Sequence, residues 1–92
     1  MNVSAVPIDR RPSISPPQVR AARALLGWGR EKLAAGSGIS RRSLERVENE
    51  EGSQRRATVE AIRATLEAAG VEFITGDAPG VRLRNVRIWK EG

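Results

Sequence analysis

Apolar residues recur at helical spacing along most of the chain, which is typical of short amphipathic helices. The first predicted helix covers residues 17–27, where Pro17 suits the first turn and Gly27 suits the end. Its apolar stripe consists of Val19, Ala22, Leu25 and Leu26. A second helix is predicted over residues 29–35. The chain then breaks at Gly36-Ser37-Gly38, because two nearby glycines allow a tight turn.

Two further helices follow in the same pattern. Ser40 is a good N-cap for a third helix that ends near Asn49, because its hydroxyl can accept bonds from free N–H groups of the first turn. The buried face of this helix is formed by Leu44 and Val47. Thr58 is the predicted N-cap of a fourth helix over residues 59–69, which Gly70 ends. The apolar stripe of the fourth helix consists of Val59, Ile62, Leu66 and Ala69.

The pattern changes from helical to alternating after the fourth helix. Residues 71–74 and 81–84 each alternate apolar and charged side chains for part of their length, and residues 75–80 have the composition of a turn. An antiparallel β-hairpin is the simplest interpretation. The alternation slips at Asn85-Val86, which is consistent with a bulge if the second strand continues to Trp89.

The stretch before the first helix lacks any helical or strand period. Its prolines prevent regular helix, and residues 1–16 are therefore predicted to be a flexible arm. A disordered leader and a basic arm that touches DNA or a partner subunit both remain open. The 92 residues suit one domain, divided into this arm, a helical unit over 17–70 and a hairpin with tail over 71–92.

Composition excludes several classes of function. The chain has no cysteine and no histidine, so it has no disulfide, no thiolate metal site and no Ser-His-Asp triad. We therefore expect no enzyme activity, no metal and no cofactor. No apolar run reaches the length of a membrane span and no secretory signal is visible, which makes a cytoplasmic location the expectation. Sixteen Lys and Arg against 11 Asp and Glu leave a charge of +5, which favours a polyanionic partner.

The segment 30–49 combines a short helix, a glycine-containing turn and a second short helix, which is the outline of a helix-turn-helix. Small residues at the turn allow the two helices to meet at a steep angle. The polar face of the second helix carries Arg41, Arg42, Ser43 and Arg46. Such a face can enter the major groove, where arginine pairs bidentately with guanine.

These residues resemble the helix-turn-helix of the lambda-repressor-like, Cro/XRE class of transcriptional regulators. The resemblance rests on Leu33-Ala34, Gly38-Ile39-Ser40 and Glu48-Asn49 at fixed spacing, and it covers about residues 17–69. The family's first helix is matched by Arg20, Arg23 and Leu26-Gly27. The resemblance implies a mainly α fold of four to five short helices, followed here by the small C-terminal β-hairpin. It also implies a structural pair between Arg23 and Glu48.

The resemblance implies DNA contacts at eight positions, namely Arg30, Ser40, Arg41, Arg42, Ser43, Arg46, Arg55 and Arg56. Arg41 and Arg42 are assigned to base edges, and Arg46 to a base or the backbone. The two serines are assigned to phosphates or bases, and the remaining arginines to phosphates. Arg30 stands where the family usually has Gln, and Gly29 where it commonly has a capping Ser or Thr.

The function implied is sequence-specific regulation of transcription in a prokaryote, most simply repression by a homodimer on double-stranded DNA. The hairpin and Trp89 are the candidate dimer surface. An alternative is an antitoxin that binds operator DNA and also neutralises a toxin protein through the hairpin edge. A module that has lost DNA binding is a third possibility.

Overall fold

The computed structural model describes residues 13–84, which form a mainly helical fold that ends in a small antiparallel hairpin. The helices in this range are α1 (Pro16–Leu26), α2 (Arg30–Ser37), α3 (Arg41–Glu48) and α4 (Arg56–Ala68). The strands are β1 (Val71–Ile74) and β2 (Gly80–Leu83). The coarse prediction of short helices followed by a hairpin is confirmed. Most of the predicted arm, and the predicted strand extension over 85–89 with Trp89, lie outside the described residues.

The start of α1 lies one residue earlier than the sequence pattern predicts. Ser15 is its N-cap, with its hydroxyl accepting from the Gln18 backbone N–H. The Gln18 side chain returns a bond by accepting from the Ser15 N–H at 2.8 Å, which completes a capping box. Ile14, which the sequence assigns to the arm, is only 8% exposed and joins the core. The folded part therefore begins before residue 16.

Of the two glycines predicted in the turn, only Gly38 lies in the break between α2 and α3. Gly38 has φ 74°, a left-handed conformation that is strained for residues with a side chain, and its N–H donates to Ala34 O at 2.9 Å. Gly36 lies within α2, so its predicted place in the turn is wrong. Its small size serves packing, because a Cβ at this position would lie 3.0 Å from Thr65 Cγ2 on α4.

The two later helices differ in how well the sequence predicts their starts. Ser40 caps α3 as predicted, with its Oγ accepting from the Ser43 N–H at 3.1 Å. Helix α4 begins at Arg56, so Thr58 lies inside its first turn and the predicted cap at Thr58 is wrong. Arg55 occupies the N-cap position without a side-chain cap bond. Because arginine and alanine are good helix formers, the helix extends back beyond the threonine.

The core is shared by the helices and the hairpin. Its buried apolar residues are Ile14, Val19, Ala22, Leu33, Leu44, Val47, Ile62, Leu66 and Val71. Partly buried residues of the hairpin pack against them, namely Phe73, Val81 and Leu83. In the hairpin register, Val71 faces Leu83 and Phe73 faces Val81, which places these four apolar side chains on one side of the hairpin. The hairpin is therefore part of the same core as the helices.

A buried glutamine attaches the hairpin to α1. Gln18 is only 5% exposed, and its Nε2 donates to Ile74 O at 2.8 Å and to Gly80 O at 3.0 Å. These two carbonyls belong to the last residue of β1 and the first residue of β2, on either side of the turn. One side chain therefore caps its own helix and also fixes the turn end of the hairpin.

Replacement of Gln18 by leucine is expected to lower the free energy of unfolding by about 2 kcal/mol, because it leaves two partly buried carbonyls without their donor. Urea unfolding measures the loss. The matched control is Gln54→Leu, because Gln54 makes a single bond, to Glu51 O at 2.9 Å in an exposed loop. Equal losses in the two variants would contradict this account of Gln18.

Candidate nucleic-acid interface

Helix α3 separates apolar and cationic side chains on opposite sides. Leu44, Val47 and Glu48 are buried, whereas Arg41, Arg42 and Arg46 are exposed. The buried residues recur three and four positions apart and therefore share one face of the helix. The eight-residue helix is held to the domain by this face, and its arginines remain accessible from solvent.

The C-terminal end of α3 is attached to the domain by a buried carboxylate. The Glu48 side chain has 0% exposure and lies against two guanidinium groups. Arg23 of α1 donates from Nε and Nη2 to the two carboxylate oxygens, both at 2.7 Å. Arg30 of α2 donates from Nε to Oε1 at 3.0 Å. The predicted pair of Arg23 and Glu48 is confirmed, and the network joins three helices.

A further arginine of α1 completes this attachment, since Arg20 Nη1 donates to the backbone carbonyl of Glu48. The network also determines how Glu48 titrates. Burial alone would raise the pKa of Glu48, but the hydrogen bonds from Arg23 and Arg30, together with the attraction of their charges, outweigh it and hold the pKa below its ordinary value of 4.5. The pKa of Arg23 is raised, chiefly by its hydrogen bond to Glu48.

Acid is expected to weaken the fold through Glu48. Because its pKa is lower in the folded than in the unfolded chain, its contribution to stability is complete above the ordinary value of 4.5 and is lost as the pH falls through the folded value. Urea unfolding of the wild type and of Glu48→Gln between about pH 6 and about pH 3 isolates this effect. The stability gap between the two proteins should narrow in acid. A gap independent of pH would contradict the assignment.

Several of the residues assigned to DNA already make bonds within the domain. Arg30 is 28% exposed and its Nε is held by Glu48. Arg41 Nε donates to Glu45 Oε2 at 3.2 Å, and its Nη1 donates to Glu31 Oε2. The Ser40 hydroxyl donates to Ser43 Oγ at 3.0 Å while it caps α3. The surface assigned to DNA therefore contains acidic side chains that bind its arginines.

Four further assigned residues are exposed arginines in two places. Arg42 and Arg46 lie on α3, and Arg55 and Arg56 lie at the start of α4. The sequence pattern predicts a fourth helix that begins after both of these arginines, whereas Arg56 is the first residue of α4. Unpaired N–H groups and the helix dipole make such an N-terminus attractive to anions. Two adjacent arginines add formal positive charge at this end.

Two acids of this surface, Glu31 and Glu45, are not predicted from the sequence. Glu45 could have been found, because it lies four residues after Arg41 on one helix, the usual spacing of a helical ion pair. Glu31 carries no such signal, since its contact with Arg41 crosses from α2 to α3 over ten positions of sequence. Both carboxylates are solvent-accessible.

No protein-family model and no curated protein matches this sequence. Over residues 13–84, no group of three acidic side chains is arranged to hold a metal ion. Within the same part of the chain, every helix is too short or too polar to cross a membrane.

Proposed function

We propose that this protein is a sequence-specific DNA-binding regulator of transcription with a lambda-repressor-like helix-turn-helix, acting as a repressor. The observation that carries the proposal is the attachment of α3. Its inner face is held by buried Leu44, Val47 and Glu48, and its outer side carries three exposed arginines. A short helix anchored in this way can enter a major groove without losing its place in the domain.

In this proposal, α3 supplies base readout and its neighbours supply phosphate contacts. Arg41, Arg42 and Arg46 face the groove, where a guanidinium can pair with O6 and N7 of guanine. Ser40 and Ser43 lie at the start of α3, where a phosphate or base edge can replace their mutual hydrogen bond. Arg55 and Arg56 bind the backbone at the start of α4. Phosphate contacts fix the register and base contacts supply specificity.

Arg30 has a role in this scheme that differs from a simple phosphate contact. Its Nε is committed to Glu48, whereas its two terminal nitrogens make no bond to another residue in the range 13–84. Those nitrogens can donate to a phosphate while the Nε bond persists. Arg30 would then connect the DNA backbone directly to the buried network that holds α3.

The size of the reading helix supports a homodimer. Eight residues give a helix about 12 Å long, which spans about three to four base pairs. Two copies on half-sites about 34 Å apart would read a site of useful length. The hairpin offers a candidate contact between copies, because Ile74 at the end of β1 is a large apolar side chain with 39% exposure.

The proposal is tested by selecting bound duplexes from random DNA at two salt concentrations. We expect an enriched sequence with two related halves, about one helical turn apart. For each phosphate neutralised, the logarithm of the affinity should fall by about 0.9 for a tenfold increase in salt concentration. Binding without any enriched sequence, or no binding at low salt, would refute the proposed function. An enriched sequence with one half only would refute the dimer.

A further inference from the structure

Arg41 is the only residue of α3, among those described, whose side chain bonds to two acids on different helices. Its Nε donates to Glu45 on the next turn of α3, at 3.2 Å from Oε2. Its Nη1 donates to Glu31 on α2. The exposed fractions are 57% for Arg41, 70% for Glu31 and 40% for Glu45. This cluster of three residues therefore lies at the surface, across the junction between α2 and α3.

The acids leave Arg41 able to bind a base. A guanidinium has five N–H donors, of which Glu31 and Glu45 use two. Bidentate pairing with guanine needs two more donors. Two anchors at different nitrogens also restrict the side chain, so less rotamer freedom is lost when it meets a base edge. The acid bonds and the base contact are thus compatible.

The same acids disfavour a phosphate as partner for Arg41. Glu31 and Glu45 each carry a negative charge within bonding distance of the guanidinium. A phosphate that approaches it meets like charge, whereas the O6 and N7 acceptors of guanine carry no formal charge. Arg42 provides the contrast, because it is exposed on the same helix and makes no bond to an acid between residues 13 and 84.

We infer that Glu31 and Glu45 are positioning residues that determine specificity through Arg41. They orient its guanidinium toward a base edge and oppose its use as a nonspecific phosphate ligand. This inference rests on the proposed DNA-binding function and adds two residues that the sequence analysis does not assign to it. The two acids therefore contribute to discrimination between sequences at the expense of affinity for DNA in general.

The test compares Glu31→Gln, Glu45→Gln and the double variant with the wild type. Affinities are measured at two salt concentrations for the selected operator, for random duplex, and for operators altered at the base pair that Arg41→Ala identifies. Because an exposed ion pair has a small effect, we expect the double variant to bind random duplex about three- to tenfold more tightly. Its discrimination at that base pair should fall by a similar factor. The salt slope for random duplex should increase by the amount that corresponds to about one more phosphate contact.

Glu51→Gln is the matched control. Glu51 is an exposed acid in the loop after α3, and its carboxylate makes no bond to another residue of the described range. Its neutralisation changes the net charge by the same amount as either test variant. It should strengthen binding to all duplexes by a similar factor and leave discrimination unchanged.

The outcomes separate this inference from the proposed function. A wild type without sequence preference overturns both. A wild type with preference, combined with unchanged discrimination in the double variant, overturns only the role of the acids. The Arg41 Nε–H resonance of the DNA-free protein provides a readout that stability does not move. It should shift in Glu45→Gln and stay in place in Glu51→Gln, and an unmoved resonance in both counts against the positioning role.

Discussion

Replacement of Glu48 by glutamine is expected to lower the free energy of unfolding by about 3–5 kcal/mol at neutral pH. The side chain has 0% exposure and is the shared acceptor of Arg23 and Arg30. Glutamine retains the shape but removes the charge, and two guanidinium groups are left partly buried without a counterion. Urea and thermal unfolding measure the loss. The effect is large because removal of one partner costs more than the intact ion pair contributes.

Glu45→Gln is the control for this prediction, since it removes an acid from the same helix at a position where 40% of the side chain is exposed. Its effect on stability should stay within about 0.5 kcal/mol. Because Glu48 lies on the inner face of α3, the folded fraction of Glu48→Gln should still prefer the wild-type operator. Unchanged thermal unfolding, or a changed sequence preference, would contradict the structural role of Glu48.

Replacement of both Arg41 and Arg42 by alanine is expected to reduce operator affinity about 100-fold or more. Each bidentate contact to guanine contributes about 1–3 kcal/mol of discrimination. Affinity for random duplex should fall much less, so that the ratio of operator affinity to random-duplex affinity decreases strongly. Both side chains are exposed, and stability should therefore change little. Titrations of operator and random duplex with the wild type and the variant give both affinities.

The comparison for this prediction is Arg55→Ala combined with Arg56→Ala at the start of α4. These residues are proposed phosphate ligands, so their loss should weaken binding to all duplexes by a similar factor and reduce the salt slope by about two. If the pair on α3 behaves in the same way, α3 binds the backbone and does not read bases. Operator binding that survives the loss of Arg41 and Arg42 would contradict the assigned reading surface.

Local features of the fold can be predicted from the sequence. The alternation of buried and exposed positions in α3, with Ser40 at its start, follows from helical period and capping chemistry within ten residues. The hairpin follows from a change of period and a turn composition. The sequence pattern misplaces the start of α4, because a threonine is a good cap by type, whereas the arginine and alanine before it extend the helix.

Contacts between residues that are far apart in the sequence cannot be predicted in this way. The pair of Arg23 and Glu48 came from resemblance to a family, and the addition of Arg30 to it came only from the structure. Likewise, helical spacing places Arg63 on the same face as Val59 and Leu66. It does not predict that the guanidinium carbon of this cation, which is 5% exposed, lies 5.7 Å from the ring centre of Phe73. Periodicity reports which face of an element is buried, but it does not report what that face meets.

The double role of Gln18 has a consequence for the order of events during synthesis. Its bond to Gly80 spans 62 positions of sequence, although Gln18 itself stands in the first turn of the first described helix. The ribosome therefore synthesises α1 before it synthesises the carbonyls that complete the attachment of this helix. The helices can begin to associate before the hairpin closes, since local contacts form first. Closure of the domain by the hairpin must wait until residue 80 has left the exit tunnel.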